Sequence, residues 1–229
     1  MRHHPTCKRP LLSLVISLVL QAVPLVAREA FIKDGNVFVK NAKDKVVQLT
    51  DSGKDLEARL SPDGKSVAFV RDTPGELVGT GRDDLNACEI WLADVDTHKS
   101  RLLLKGRPAK KMEDTLCDMC CLRFSLGGHW LYFSSGAWCV SNAIHRICLE
   151  TGSQEFVIDG LGVRVIPTGK DAGKLLVTRA LIKYDKQGES LGRDVYLCLV
   201  HLDGTNIREI GQIESKEVAN FLKLHHVEF

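Results

Sequence analysis

The stretch "LSPDGKSVAFV", Leu60 to Val70, decides how the chain is read. A polar corner, Ser61-Pro62-Asp63-Gly64-Lys65, runs straight into an alternating strand, Val67-Ala68-Phe69-Val70. Pro and Gly fix the turn, Asp caps it, and the apolar alternation packs one sheet face on another. Such a unit is either one hairpin of an ordinary domain or one blade of a repeated architecture. Repetition answers the question.

"LRFSLGGHWLYFSSG", Leu122 to Gly136, has the layout of "ARLSPDGKSVAFVRD". Ser125-Leu126-Gly127-Gly128-His129 lies over the first corner, and Leu131-Tyr132-Phe133-Ser134 over Val67 to Val70. "AIHRICLETGSQEFVIDG" then follows "EIWLADVDTHKSRLLLKG", matching Ile144-His145 with Ile90-Trp91. A more worn copy runs "VIPTGKDAGKLLVTR" and "DVYLCLVHLDGTNIREIG". There Pro167 and Gly169 stand for Pro62 and Gly64, and Val195-Tyr196 for Ile90-Trp91. Ser125 and Ile166 lie about 41 residues apart, the length of a four-stranded propeller blade. Ser61 and Ser125 lie about 64 apart, one blade plus inserts that fit in Pro74 to Asn86 and Lys105 to Asp118. Outside the first thirty residues only Ser215 to Leu224 offers a helical period. The expected fold is all-β, a propeller of four-stranded blades.

The unit resembles the propeller repeat of the TolB-type β-propellers, also found in the non-catalytic propellers of prolyl oligopeptidase relatives. The resemblance covers about Val37 to Gly211. It implies TolB-like blades over residues 28–229. At about 45 residues per blade the chain holds about four. A small closed ring, an open array completed by a partner and a truncated chain all remain open.

The chain has 229 residues, 44% apolar and 26% charged, with a formal charge of +2. That near neutrality gives no support to nucleic acid or an anionic membrane as partner. Arg2, Lys8 and Arg9 precede an uncharged run from Leu11 to Ala27, the form of a secretory signal peptide over residues 1–27. Its removal would leave no membrane span and an exported, periplasmic or secreted protein. An uncleaved anchor is the alternative.

Export bears on the cysteines. "CDMCC", Cys117 to Cys121, is the unusual feature, with Cys139 following in the same repeat. Structural bridges, a metal site, redox activity and unpaired thiols all fit this spacing; bridges suit an oxidising compartment best. The expected bridge joins Cys117, Cys120 or Cys121 to Cys139. Cys148 and Cys198 fit equally well as buried thiols acting as small hydrophobes. His145 takes the slot of Trp91 and reads as a packing residue, while His225-His226 reads as a solvated terminus. Trp138 lies in the loop after a strand, where a propeller presents binding residues.

No catalytic motif is present: Gly-x-Ser-x-Gly, a Walker loop and His-Glu-x-x-His are all absent. The acid pairs Asp83-Asp84 and Glu113-Asp114 read as ordinary loop residues. No acid, base or metal set is read at equivalent strand positions. The sequence therefore points to a non-catalytic module that binds a protein or a cell-envelope component, without cofactor or metal. The competing expectations are a hydrolase or lyase with its site in the central channel, and a partial propeller without independent activity.

Overall fold

A computed structural model describes residues 28–41, 43–79, 84–138 and 141–227. The leader, Asp83 and Cys139 lie outside the described residues. The described residues open with β1 (Glu29–Lys33), β2 (Asn36–Lys40) and β3 (Val46–Gln48), an antiparallel three-stranded sheet. β4 (Asp55–Leu60) and β5 (Ser66–Arg71) begin the second sheet. A separate hairpin, β6 (Leu77–Gly79) and β7 (Asp84–Asn86), fills the first insert. β8 (Glu89–Asp94) and β9 (Ser100–Lys105) then complete the order β4-β5-β8-β9. The second insert holds a 3₁₀ turn, Met112–Asp114, and a bridge between Arg107 and Leu116.

The third sheet is β10 (Cys120–Phe124), β11 (Trp130–Trp138), β12 (Ser141–Cys148) and β13 (Gln154–Gly160). The fourth is β14 (Gly162–Val165), β15 (Leu175–Tyr184), β16 (Ser190–Val200) and β17 (Arg208–Gln212). Ser61, Ser125 and Ile166 each follow the first strand of a four-stranded antiparallel sheet, as the repeat predicts. The architecture is that of propeller blades. No helix among the described residues is long and apolar enough to cross a membrane.

The corners show why these residues turn. Ser61 donates its hydroxyl to Asp63 Oδ1 at 2.6 Å, and Asp63 Oδ1 accepts the Lys65 N–H at 3.1 Å. These bonds, the Ser61 one first, hold the Asp63 carboxyl below the usual carboxylate range. Gly64 and Gly128 close the two corners at φ +70° and +73°, each donating its N–H to the corner serine's carbonyl at 2.9 Å. The third corner is longer. Ile166 donates to Lys174 O at 2.9 Å, and both Gly169 and Gly173 adopt positive φ.

Strand alternation builds a core between each pair of sheets. Val67 and Phe69 face the first sheet, whereas Ala68 and Val70 face the third. Leu131 and Phe133 return that contact, and Tyr132 faces the fourth sheet with Val177 and Val200. Both faces are buried, so the strands read as continuous apolar runs. Burying Phe69 or Phe133 contributes about 1.5–3 kcal/mol. On the fourth sheet's far face, Ile166, Leu176 and Leu197 pack under α1 (Lys216–Leu224) through Val218. Ser215 caps that helix, accepting the Val218 N–H at 3.3 Å.

The register corrects one alignment. Trp91 pairs with Phe69 and His145 with Phe133, but in the fourth sheet Cys198, not Tyr196, holds that slot opposite Val177. The slip is two residues, which leaves every side chain on its original face, so alternation does not detect it.

Candidate functional site

The first strands of the sheets lie side by side: β1 against β4, β4 against β10, and β10 against β14. Each of the last three carries an arginine two residues before its corner: Arg59 before Ser61, Arg123 before Ser125, and Arg164 before Ile166. All three adopt the same local geometry. Each Nη1 donates to the carbonyl of the preceding residue, at 3.1 Å to Ala58, 2.6 Å to Leu122 and 3.2 Å to Val163. The repeat thus sets three arginines at one position of the neighbouring first strands of consecutive blades. Burial, and then the Arg164 and Arg59 charges, lower the pKa of Arg123 from its ordinary value.

Glu57, on β4, is a carboxylate beside two of them. It lies 3.0 Å from Arg59 and 3.5 Å from Arg123, and its Oε2 accepts the Cys121 N–H at 2.7 Å. Cys121 stands four residues before its corner, the place Glu57 holds one blade earlier. Both lie in a register irregularity, between Asp55 and Ala58 on β4 and between Cys120 and Arg123 on β10. Bulges of this kind re-aim side chains. Cys121 itself sits at φ +60°.

The Cys120 thiol donates to the Cys121 sulfur at 3.6 Å. That bond holds the Cys121 thiol down at about 6, aided by Arg123 and Arg164 and opposed by burial and Glu57. The same pairing, with burial, pushes Cys120 up. Cys88 and Cys117 differ: burial pushes both up to about 11. The Cys117 sulfur donates to Gly136 O at 3.2 Å, and its N–H donates to Ser135 Oγ at 3.0 Å. Cys117 therefore runs beside the end of β11, the strand that leads toward Cys139. All the described cysteines (Cys88, Cys117, Cys120, Cys121, Cys148 and Cys198) are free thiols.

A cleft of about 580 Å³ opens between the second and third sheets at the end where Cys120 lies. Leu56, Asn86, Asp118, Met119 and Trp138 form its walls. Trp138 also borders a second concavity with Phe156, Leu181 and Tyr184, its ring edge-on to Phe156 at 6.5 Å. Of the predicted site residues, the structure brings Cys120 and Cys121 together, sets Cys120 and Trp138 on one cleft, and buries Cys117 nearby.

Sequence reasoning missed the arginines, although "ARLS", "LRFS" and "VRVI" carry them at one repeat position. It placed His145 correctly: the ring is fully buried, stacked on Phe133 at 5.2 Å. It misplaced His225, read as solvated. That ring is 3% exposed, packed on Phe221 at 4.3 Å and 3.6 Å from Asp171 Oδ2, because the chain after α1 folds back on the fourth sheet's corner. His226 is exposed.

No protein-family model matches the chain, and no curated protein matches it. Among solved structures, the tricorn protease is similar over 79% of this chain and 15% of its own, at TM-score 0.52 and 14% identity. The β-propeller domain of the Trilobed protease from Pyrococcus furiosus gives 0.48 at 16%, over 81% of this chain and 54% of that one. TolB from Acinetobacter baumannii gives 0.46 at 11%, over 81% and 52%. The chain spans about half the length of TolB and of the Trilobed propeller domain, and less of tricorn. At these identities the likeness is one of fold, the β-propeller.

Proposed function

We propose that the chain is an exported, non-catalytic β-propeller that works as a binding module, and that its axial arginines receive acidic groups of a protein partner. The observation that carries this reading is the recurrence of Arg59, Arg123 and Arg164 at one position of neighbouring innermost strands. A guanidinium presents a planar fork of donors matched to a carboxylate, and clustering like charges is costly unless an anion is received there. Glu57 pairs with two of them, Arg59 and Arg123, and an acidic partner would meet the guanidiniums beside it. The partly exposed Trp138 and the cleft beside Cys120 offer apolar surface for the rest of the partner.

The test uses a decaglutamate peptide, with inorganic pyrophosphate as a comparison, titrated calorimetrically into the chain from Arg28. Decaglutamate binding that weakens with salt, and at least tenfold in Arg123→Ala, supports the reading. Unchanged binding by a folded Arg123→Ala variant overturns it. Binding of pyrophosphate but not decaglutamate overturns the choice of carboxylate. Export is tested by N-terminal sequencing of secreted material, expected to begin near Arg28; an intact Met1 on a membrane-bound product refutes cleavage.

A further inference from the structure

We propose that Cys120 and Cys121 form a reversible oxidation site on the propeller axis, at which a hydroperoxide reacts with Cys121 and Cys120 closes the pair as a disulfide. The first support is the repeat itself. Glu57 sits four residues before one corner and lies between Arg59 and Arg123. Cys121 sits four residues before the next corner, where the Arg123 and Arg164 charges favour its thiolate. A thiolate here replaces the carboxylate that the preceding blade uses as counter-charge. The second support is geometric. The bulge and left-handed backbone at Cys121 hold its sulfur 3.6 Å from that of Cys120, which donates to it. Cys120 is exposed and Cys121 half-buried, so a small oxidant reaches the pair. The charged and titratable groups acting on the pair are Glu57, Arg123 and Arg164 on Cys121, and Glu57 and Cys88 on Cys120. The hydrogen bond and the arginines outweigh burial and Glu57, holding the Cys121 thiol near 6.

The chemistry balances. The Cys121 thiolate attacks the terminal oxygen of the hydroperoxide; an S–O bond forms and the O–O bond breaks. The departing alkoxide, or hydroxide from hydrogen peroxide, takes a proton from solvent, and Cys121 becomes a sulfenic acid. The Cys120 sulfur then attacks the Cys121 sulfur. An S–S bond forms, the S–O bond breaks, and the hydroxyl leaves with the Cys120 proton as water. Two thiols lose two electrons to one hydroperoxide. Adjacent residues stand about 3.8 Å apart at Cα, short of the span a relaxed bridge adopts, so the disulfide is readily reduced again by a dithiol. Oxidation also removes the negative charge that Cys121 sets against the Arg123 and Arg164 charges. On the binding reading above, the oxidised protein holds decaglutamate about fivefold more tightly.

The test begins with the dithiothreitol-reduced chain. Iodoacetamide labelling across pH 5–9, mapped by peptide sequencing, should give a Cys121 midpoint near 6, with Cys88 and Cys117 unreactive below pH 9. One equivalent of hydrogen peroxide should then yield a Cys120–Cys121 bridge that dithiothreitol reverses. Cys120→Ser should leave a Cys121 sulfenic acid that dimedone captures, and Cys121→Ser should abolish the fast reaction. A midpoint above 8, or a bridge from either residue to Cys117 or Cys139, overturns the proposal. Titrating decaglutamate into reduced and oxidised protein reads the two ideas separately. Equal affinity in both forms rejects the coupling while the bridge stands, and no affinity in either rejects the binding reading alone.

Discussion

Replacing Glu57 by Gln should move stability and anion affinity in opposite directions. In the native chain the carboxylate accepts the Cys121 N–H at 2.7 Å and pairs with Arg59 at 3.0 Å and Arg123 at 3.5 Å. Hydrogen bonds to a charged group contribute about 1.5–3 kcal/mol each when fully buried. Glu57 is 20% exposed and Arg59 45%, so the Arg59 pair is partly screened and adds little. The Gln oxygen still accepts the Cys121 N–H, so the loss is charge rather than the bond itself. A destabilisation of about 1–2 kcal/mol follows, a shift of roughly 0.5–1 M in urea midpoint at an m-value of about 2 kcal/mol/M. For a bound anion the sign reverses, because Glu57 competes for the same guanidiniums. At about 6 Å and an effective dielectric of about 40, removing its charge relieves about 1.4 kcal/mol of repulsion. Decaglutamate should then bind about tenfold more tightly. Urea unfolding followed by tryptophan fluorescence and calorimetric titration at matched salt read the two effects. A Glu57→Gln variant that is less stable and binds less tightly would refute the charge-competition argument, and with it the arginine ladder as an anion site.

Asp55→Ala should cost about 3 kcal/mol, read as a lowered urea midpoint, because the fully buried carboxylate accepts from Arg71 at 2.7 Å and from the Thr50 hydroxyl. An unchanged midpoint would show the pair to be dispensable. His145, held by burial at about 4 against about 6.5 unfolded, makes stability full above pH 6.5 and progressively lost as pH falls toward 4. His145→Phe should flatten that acid limb by up to about 3 kcal/mol in pH-dependent melts. Gly204→Ala should destabilise by about 2 kcal/mol or more in thermal denaturation. Its φ is +87°, and a Cβ there would stand 2.0 Å from the Val157 carbonyl of the neighbouring sheet.

The architecture was legible because its causes are local. Ser-Pro-Asp-Gly-Lys turns the chain through its own side chains and a positive-φ glycine, wherever it sits. The apolar stretch Val67 to Val70 marks a core strand, and the structure buries both of its faces. The third copy showed the limit of that reading. Tyr196 and Cys198 lie on one face, and a period of two does not separate them; the strand partner Val177 does. His225 looked exposed because it follows a helix near the end of the sequence. It is buried because Asp171 and Phe221, brought from the corner and the helix, close over it.

By itself, the sequence determined that four-stranded units recur, where they turn, and which faces they bury, since each depends on residues within a few positions of one another. It also held the three arginines in register, two positions before each corner. Only the tertiary structure decided what they mean. Arg59 and Arg123 are about 64 residues apart along the chain, and a shared repeat position becomes a candidate site only when β4, β10 and β14 stand side by side. The same holds for Glu57 and Cys121: a carboxylate and a thiol at one repeat position say nothing of charge until adjacent blades place an arginine beside each. Charge acts through space over a few ångströms, and space is what the fold supplies.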